Sequence, residues 1–425
     1  MVNTRTNPLN VSFVITSLPV GGAETLLVNL VRRMNKALVQ PHVLCLKDAG
    51  ELGESVACEV PLKSRLLSSK YDFRILPRLI STFRDQQTDA VITVGAGDKM
   101  FWGRLAARIA GVPVICSALH STGWPDGVGK LNRMLTCITD GFIACAANHA
   151  QHMIDHEGFP RSKVFTIPNG VDTQRFEPNP EQRHWLRSKL RLADDTKLVG
   201  IVAALREEKN HQQLIDASTE ILREHPSTHF VVVGDGPMRP SIEASIQERG
   251  VAAHFHLLGN RHDTHQILPG LDAFVLTSKN EANPVSILEA LACGVPVAAP
   301  RVGSIHETVL HEKTGLLTVP LDPLSTADAI IRLLGNAAWS RQLGLRGRTE
   351  VQQSWSLETM VGGYERLLGF LYNSRAASLG LPEWLGSGER SLDGFPHTER
   401  SSPMAITNVH GASLDGFQAQ SHQVS

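Results

Sequence analysis

The sequence predicts an α/β chain of two doubly wound, Rossmann-like domains in tandem, facing each other across a central cleft. Three observations carry that expectation. The length of 425 residues exceeds one ordinary core and suits two domains with a remainder. Short β-branched runs alternate with segments of helical apolar spacing, the pattern of a parallel sheet covered on both faces. The alternation pauses at a proline-rich stretch over residues 175–182 and starts afresh at Lys197.

In the first series, residues 11–17 read as a strand, Pro19-Val20-Gly21-Gly22 as a tight turn and 23–35 as a helix. Strands follow at 42–46, 90–94, 112–119 and 141–145, and helices at 72–87, 99–110, about 130–139 and from Asn148. A last strand and turn cover 164–172. The second series has strands at 198–205, 229–234, 255–258, 273–277 and 295–299, with helices at 211–224, 238–249 and 284–293. Gly234-Asp235-Gly236-Pro237 is a turn by composition, and the backbone of Leu258-Gly259-Asn260 is a place where a base edge could be read. Met360, Tyr364, Leu367, Leu368 and Leu371 fall at helical intervals in a terminal helix. These signals divide the chain into a first domain, 1–178, a second domain, 179–355, and a helix, 356–375, packing across both. Residues 376–425 are expected to be disordered, because Ser, Gly and Pro dominate and the pentapeptide at Ser391 merely repeats at Ser413.

A net charge of -1 gives no global reason to bind nucleic acid, so an anionic partner must meet a local patch. The six cysteines are dispersed without metal-ligand spacing and read as small core residues of a reducing compartment. The apolar run at 11–18 is too short for a signal segment, and no stretch reaches about twenty apolar residues, so a cytoplasmic protein is expected.

Chemistry concentrates at the ends of strands. Glu281 and Glu289 straddle a loop-to-helix junction, with the helix start Asn283-Pro284-Val285 between them, an arrangement suited to a polyhydroxy anion. Glu289 lies in an apolar stretch where a carboxylate needs hydroxyl or amide partners, such as a ribose diol. Gly21 and Gly22 let backbone amides approach a phosphate at a helix start, although a tight turn wants glycine in any case. His120 directly follows a strand, which places an imidazole at the cleft end of the sheet. Arg206 and Lys209 follow another strand and could neutralise a diphosphate, unless Glu207 and Glu208 pair with them locally.

Together, Gly21-Gly22-Ala23-Glu24, His120, the segment 167–172, Glu208-Lys209, Gly234-Asp235-Gly236-Pro237, Glu281 with Glu289, the segment 292–297, Glu307 and the segment 314–317 resemble glycosyltransferase family 4, the retaining glycosyltransferases of GT-B fold (glycosyl transferases group 1). The resemblance covers roughly residues 10–372. It implies a UDP- or GDP-sugar held mainly by the second domain, with Lys209 on the diphosphate, Glu289 on the ribose, and Glu281 with the following Asn283, Pro284 and Val285 on the sugar. Gly21 and Gly22 would close over the phosphates and His120 would lie beside the reacting sugar, with neither metal nor cofactor required. The pattern departs at Ala203 and Ala204, where the family writes Gly-Arg, and Arg206 is expected to reach the phosphates instead. Asn210 stands where Gly is commoner, and Asn283-Pro284 replaces a glycine-containing loop.

The implied activity is transfer of a sugar to a glycan or lipid-linked acceptor in cell-surface or extracellular polysaccharide synthesis. A nucleotide-sugar epimerase of the same architecture is the alternative. Basic and apolar residues alternate over 63–84, from Lys63 to Arg84, which suggests contact with an anionic inner-membrane surface, an ordinary solvated helix face being the plainer reading. Acceptor choice is expected in the loop 120–129.

Overall fold

The computed structural model of the chain describes residues 4–67, 72–120 and 129–385. Its strands begin with β1 (Thr4–Arg5), β2 (Leu9–Ile15), β3 (Val39–Cys45), β4 (Leu62–Lys63), β5 (Ala90–Val94), β6 (Val114–Leu119), β7 (Gly141–Ala144) and β8 (Val164–Thr166). The second half adds β9 (Lys197–Val202), β10 (Thr228–Val233), β11 (Phe255–Leu257), β12 (Ala273–Val275), β13 (Val297–Pro300), β14 (Gly315–Thr318) and β15 (Glu383–Trp384). The first-half helices are α1 (Gly22–Arg33), α2 (Gly50–Val56), α3 (Ile75–Asp85), α4 (Asp98–Ala110), α5 (Gly129–Met134) and α6 (Ala147–Asp155). They are followed by α7 (Glu181–Leu190), α8 (His211–Glu224), α9 (Arg239–Glu248), α10 (Thr264–Ile267), α11 (Val285–Ala292), α12 (Ile305–Thr308), α13 (Pro323–Gly335), α14 (Ala337–Ser354) and α15 (Leu357–Leu379).

Two parallel sheets organise these elements, in the orders β4-β3-β2-β5-β6-β7-β8 and β11-β10-β9-β12-β13-β14. Each reverses direction beside its first strand, between β2 and β5 and between β9 and β12. That reversal is the doubly wound switch point, where loops leaving the carboxyl ends diverge and open a crevice. Strands buried on both faces explain the near-continuous apolar runs, such as the fully buried β5 and β6. The fold is therefore GT-B, as expected.

Several elements escape the sequence pattern. The region expected to be a linker leads into α7 (Glu181–Leu190), whose core-facing Arg187 is fully buried and donates to the carbonyls of Thr196 and Gly270, both at 2.9 Å. A charged residue on the buried face hides the amphipathic signal. Strand β14 and helices α2, α13 and α14 are likewise additions. Cys58 and Cys137 are exposed rather than core residues, while the other four cysteines are buried and all six are free.

Helix α15 returns to the first domain, where Leu357, Met360, Tyr364, Leu367 and Leu371 share a core with Phe13, Ile92 and Ala118. It continues past the expected end at 375 to Leu379, and β15 then pairs with β1, Arg5 opposite Trp384. Order thus extends beyond 376, since Trp384 is buried and Arg5 forks onto Asp89 at 2.6 and 2.8 Å. The repeated pentapeptides, within 386–425, lie outside the described residues.

Most of the apolar side of the 63–84 stretch is consumed by packing. Leu67, Ile75, Leu79 and Phe83 are buried with Leu44, Val91 and Ala106, and Asp72 ties down Arg74 and Arg78 at 2.8 and 3.3 Å. What remains outside is Phe73, 70% exposed and edge-on to Trp102. Lys70 lies outside the described residues. Among the described residues no helix is long and apolar enough to cross a membrane.

Candidate active site

The switch point of the second sheet brings the loop after β9 against the loop after β12. Thr277 Oγ1 donates to the Lys209 carbonyl at 3.1 Å, and Lys279 N donates to the Glu208 carbonyl at 2.8 Å, stitching the two loops together. Across this seam Lys209 Nζ meets Glu281 Oε1 at 2.5 Å, and Ser278 Oγ donates to the same oxygen at 2.7 Å. The side chains of Lys209 and Glu281 are 24% and 10% exposed, so this pair is better shielded than surface pairs, worth about 0–1 kcal/mol. Lys209 and Glu281, expected to hold separate parts of a ligand, are thus one unit. Asn210 supplies the positive φ of 50° that carries the chain into α8, a conformation Asn tolerates better than most residues.

Glutamates 207 and 208 do not neutralise the cations in the way the sequence allows. Glu207 pairs with Lys279 at 3.0 Å, and the exposed Arg206 side chain makes no hydrogen bond or ion pair among the described residues. The structure does not bring Arg206 onto the Lys209–Glu281 pair. The backbone of 258–260 is also partly committed, because Gly234 N donates to the Gly259 carbonyl at 2.8 Å.

Glu289 sits one turn into α11, half-buried, its carboxylate without a hydrogen-bond partner among the described residues. Burial pushes its carboxyl up to about 7, with Arg175 pulling the other way. Asn283 and Pro284 are buried ahead of that helix, and Asn283 Nδ2 donates to Thr308 Oγ1 at 3.1 Å while its Oδ1 has no partner among the described residues. Gly303, which sequence reasoning missed, packs the loop after β13 onto Glu281. Its φ is +49°, and a Cβ there would overlap the Glu281 carbonyl oxygen.

The first domain supplies the facing wall. Gly21 precedes α1, and a Cβ on Gly22 would lie 3.9 Å from Val285 Cγ2, so the glycine turn abuts the start of α11. Val285 in turn packs on the first-domain core. His120, just past β6, is half-buried, its Nδ1 without a partner among the described residues. Burial, helped by Lys99, lowers its ring to about 4, while the neighbouring Asn169 favours the charged form, so the imidazole is neutral at pH 7. Asn169 is buried and its Nδ2 donates to the Asn283 carbonyl at 3.0 Å, linking the domains beside His120. Sequence reasoning read it as part of a turn; its role depends on a residue 114 positions away.

Another contact closes the same cleft. Glu307 accepts from the backbone N–H groups of Ala147 at 2.9 Å and Asn148 at 2.6 Å, at the start of α6, and Asn148 Nδ2 donates to the Gly303 carbonyl at 2.9 Å. The assembled site offers an ammonium, a neutral imidazole, a glycine turn at a helix start and a carboxylate in want of hydroxyl donors. Those groups suit a phosphorylated, polyhydroxy ligand.

Comparison with known proteins identifies the family. Residues 20–175 match the family profile Glycosyltransferase Family 4, and residues 182–350 match Glycosyl transferases group 1. The chain is 28% identical over 284 residues to the GDP-mannose-dependent alpha-(1-6)-phosphatidylinositol monomannoside mannosyltransferase of Mycobacterium tuberculosis, covering 64% of this chain and 72% of that protein. It is 28% identical over 308 residues to the UDP-Gal:alpha-D-GlcNAc-diphosphoundecaprenol alpha-1,3-galactosyltransferase of Escherichia coli, covering 69% and 79%. The crystal structure of Anabaena HepE in complex with UDP and glucose superposes with a TM-score of 0.75 at 20% identity, over 85% of this chain and 99% of that one. The chain belongs to glycosyltransferase family 4, the group 1 glycosyltransferases of GT-B fold.

Proposed function

We propose that the protein transfers a sugar, with retention of configuration and without a metal ion, from a UDP- or GDP-sugar to a glycan or lipid-linked acceptor in cell-surface or extracellular polysaccharide synthesis. The observation that carries this reading is the Lys209–Glu281 pair at the second switch point, opposite the Gly21-Gly22 turn. Ligands of doubly wound sheets lie at such points. The relatives named above use GDP-mannose and UDP-Gal and act on lipid-linked acceptors, which supports a nucleotide-sugar donor while leaving both bases in play.

In the proposed step the bond from the anomeric carbon to the diphosphate oxygen breaks heterolytically, and the electron pair leaves with the phosphate. Lys209, released from Glu281 by the incoming diphosphate, meets that charge, Arg206 swings in from its exposed place on the loop to join it, and Glu281 turns to the sugar hydroxyls. The acceptor hydroxyl adds to the same face, and its proton passes to the departing phosphate oxygen. No carboxylate attacks the sugar. Neutral His120 donates to a sugar hydroxyl, Glu289 accepts from the ribose diol, and Asn283, Pro284 and Val285 line the donor.

The same reading makes it a cytoplasmic protein that touches the inner membrane through Phe73, Trp102, Arg74 and Arg84. The exposed Phe73 beside Trp102 supports this contact. Failure to float with anionic vesicles would remove it.

The deciding experiment incubates the protein with labelled UDP- and GDP-sugars and lipid-linked glycan acceptors in the presence of EDTA. Free nucleoside diphosphate and labelled glycan are expected. An isomerised donor with no nucleoside diphosphate would mean epimerisation, and dependence on added divalent cation would overturn the metal-free step.

A further inference from the structure

The second domain holds a cavity of about 180 Å³ at the opposite end of its sheet from the cleft. Lys197 opens β9, Asp272 immediately precedes β12 and Pro296 immediately precedes β13, so the wall is built at the amino ends of these strands. Arg183 of α7 and Ser340 and Arg341 in the first turns of α14 complete its polar lining. A ligand here would be remote from the donor cleft at the carboxyl ends, and its binding does not depend on the transferase reading.

The charge of the wall is one-sided. Asp272 is its sole carboxylate, and both its oxygens are already engaged. Oδ1 pairs with Arg183, while Oδ2 accepts from Arg187 Nη2 at 2.6 Å and from Leu198 N at 2.8 Å. Lys197 and Arg341, by contrast, make no side-chain hydrogen bond or ion pair among the described residues. The half-buried Lys197 and the exposed Arg341, from separate elements, therefore line one hollow beside the start of the 18-residue α14. The volume falls below the roughly 300–1,000 Å³ of pockets for drug-sized ligands. A phosphate monoester carries about -1.5 to -2 charges near pH 7, which matches two free cations better than a single carboxylate does.

We propose that this cavity binds a small organic phosphate, with Lys197 and Arg341 holding the phosphate and the apolar wall taking the carbon skeleton. The site takes its ligand in addition to the donor nucleotide, not in place of it.

The test uses the full chain, alone and with saturating UDP or GDP. Glycerol 3-phosphate is titrated calorimetrically, with potassium chloride matched for ionic strength. Saturable binding is expected, weakened at least about tenfold in K197Q/R341Q while nucleotide affinity changes less than about twofold. Absence of saturable binding in the wild type, or equal affinity in the double variant, overturns the proposal. Should the variant fail to fold, hydrogen exchange on the wild type decides. Added glycerol 3-phosphate must protect amides near 294–297 and 340–343, and unchanged exchange there rejects the site.

Discussion

At the level of single residues, the site is governed by how burial and pairing set charge. Glu289 illustrates the sign. Its folded carboxyl releases its proton near about 7, whereas an unfolded one releases it near the ordinary 4.5, so between these values the folded protein holds a proton that the unfolded chain has lost. Stability contributed by this group therefore falls as pH rises through that window. Glu289→Gln is expected to melt at the wild-type temperature near pH 4.5 and a few degrees above it at pH 8, while donor affinity drops at least about tenfold. A melting difference independent of pH would show that the carboxyl is not held protonated. Glu281 and Glu289 were legible in the sequence because a loop-to-helix junction places them locally. Asn169 and Gly303 were not, since one acts on the carbonyl of Asn283 and the other on the carbonyl of Glu281, contacts that local spacing does not encode. Arg206, expected to serve the phosphates, is exposed and makes no side-chain hydrogen bond or ion pair among the described residues.

Among the elements, long periodic segments were readable and short or charged ones were not. Strand β5 falls on the expected residues, since a strand buried on both faces is a bounded apolar run. The two-residue strands β1 and β15 carry no period at all, yet they pair with each other against the first domain's core, with Trp384 at 1% exposure and Asn373 exchanging hydrogen bonds with it at 2.8 and 2.9 Å. Truncating a buried tryptophan costs about 3–5 kcal/mol. Trp384→Ala should lower the first unfolding transition by several degrees in calorimetry and leave nucleotide affinity unchanged, because the residue lies on the core and not the cleft. An unshifted transition would mean that β15 contributes nothing to the fold.

For the whole molecule, the tandem of domains was readable, but their mutual placement was not. It rests on side chains that meet only after both domains fold: Glu307 on the α6 amides, Asn169 on Asn283, and Val285 against the Gly22 turn. A carboxylate at a helix start contributes about 0.3–1 kcal/mol, up to about 2 in shielded sites. Glu307→Ala is accordingly expected to shift the unliganded protein toward an open arrangement, seen as a larger radius of gyration in solution scattering that nucleotide-sugar reverses. An unchanged radius would show that Glu307 does not hold the cleft shut. The central claim is that this closed cleft binds a nucleoside diphosphate through the Lys209–Glu281 unit. Calorimetric titration of UDP and GDP into wild type and Lys209→Ala tests it most directly. One nucleotide should bind the wild type saturably and the variant about 10- to 100-fold more weakly, with melting temperatures within about 2 °C. Equal affinities, or an affinity loss matched by an equal loss of fold stability, would contradict it.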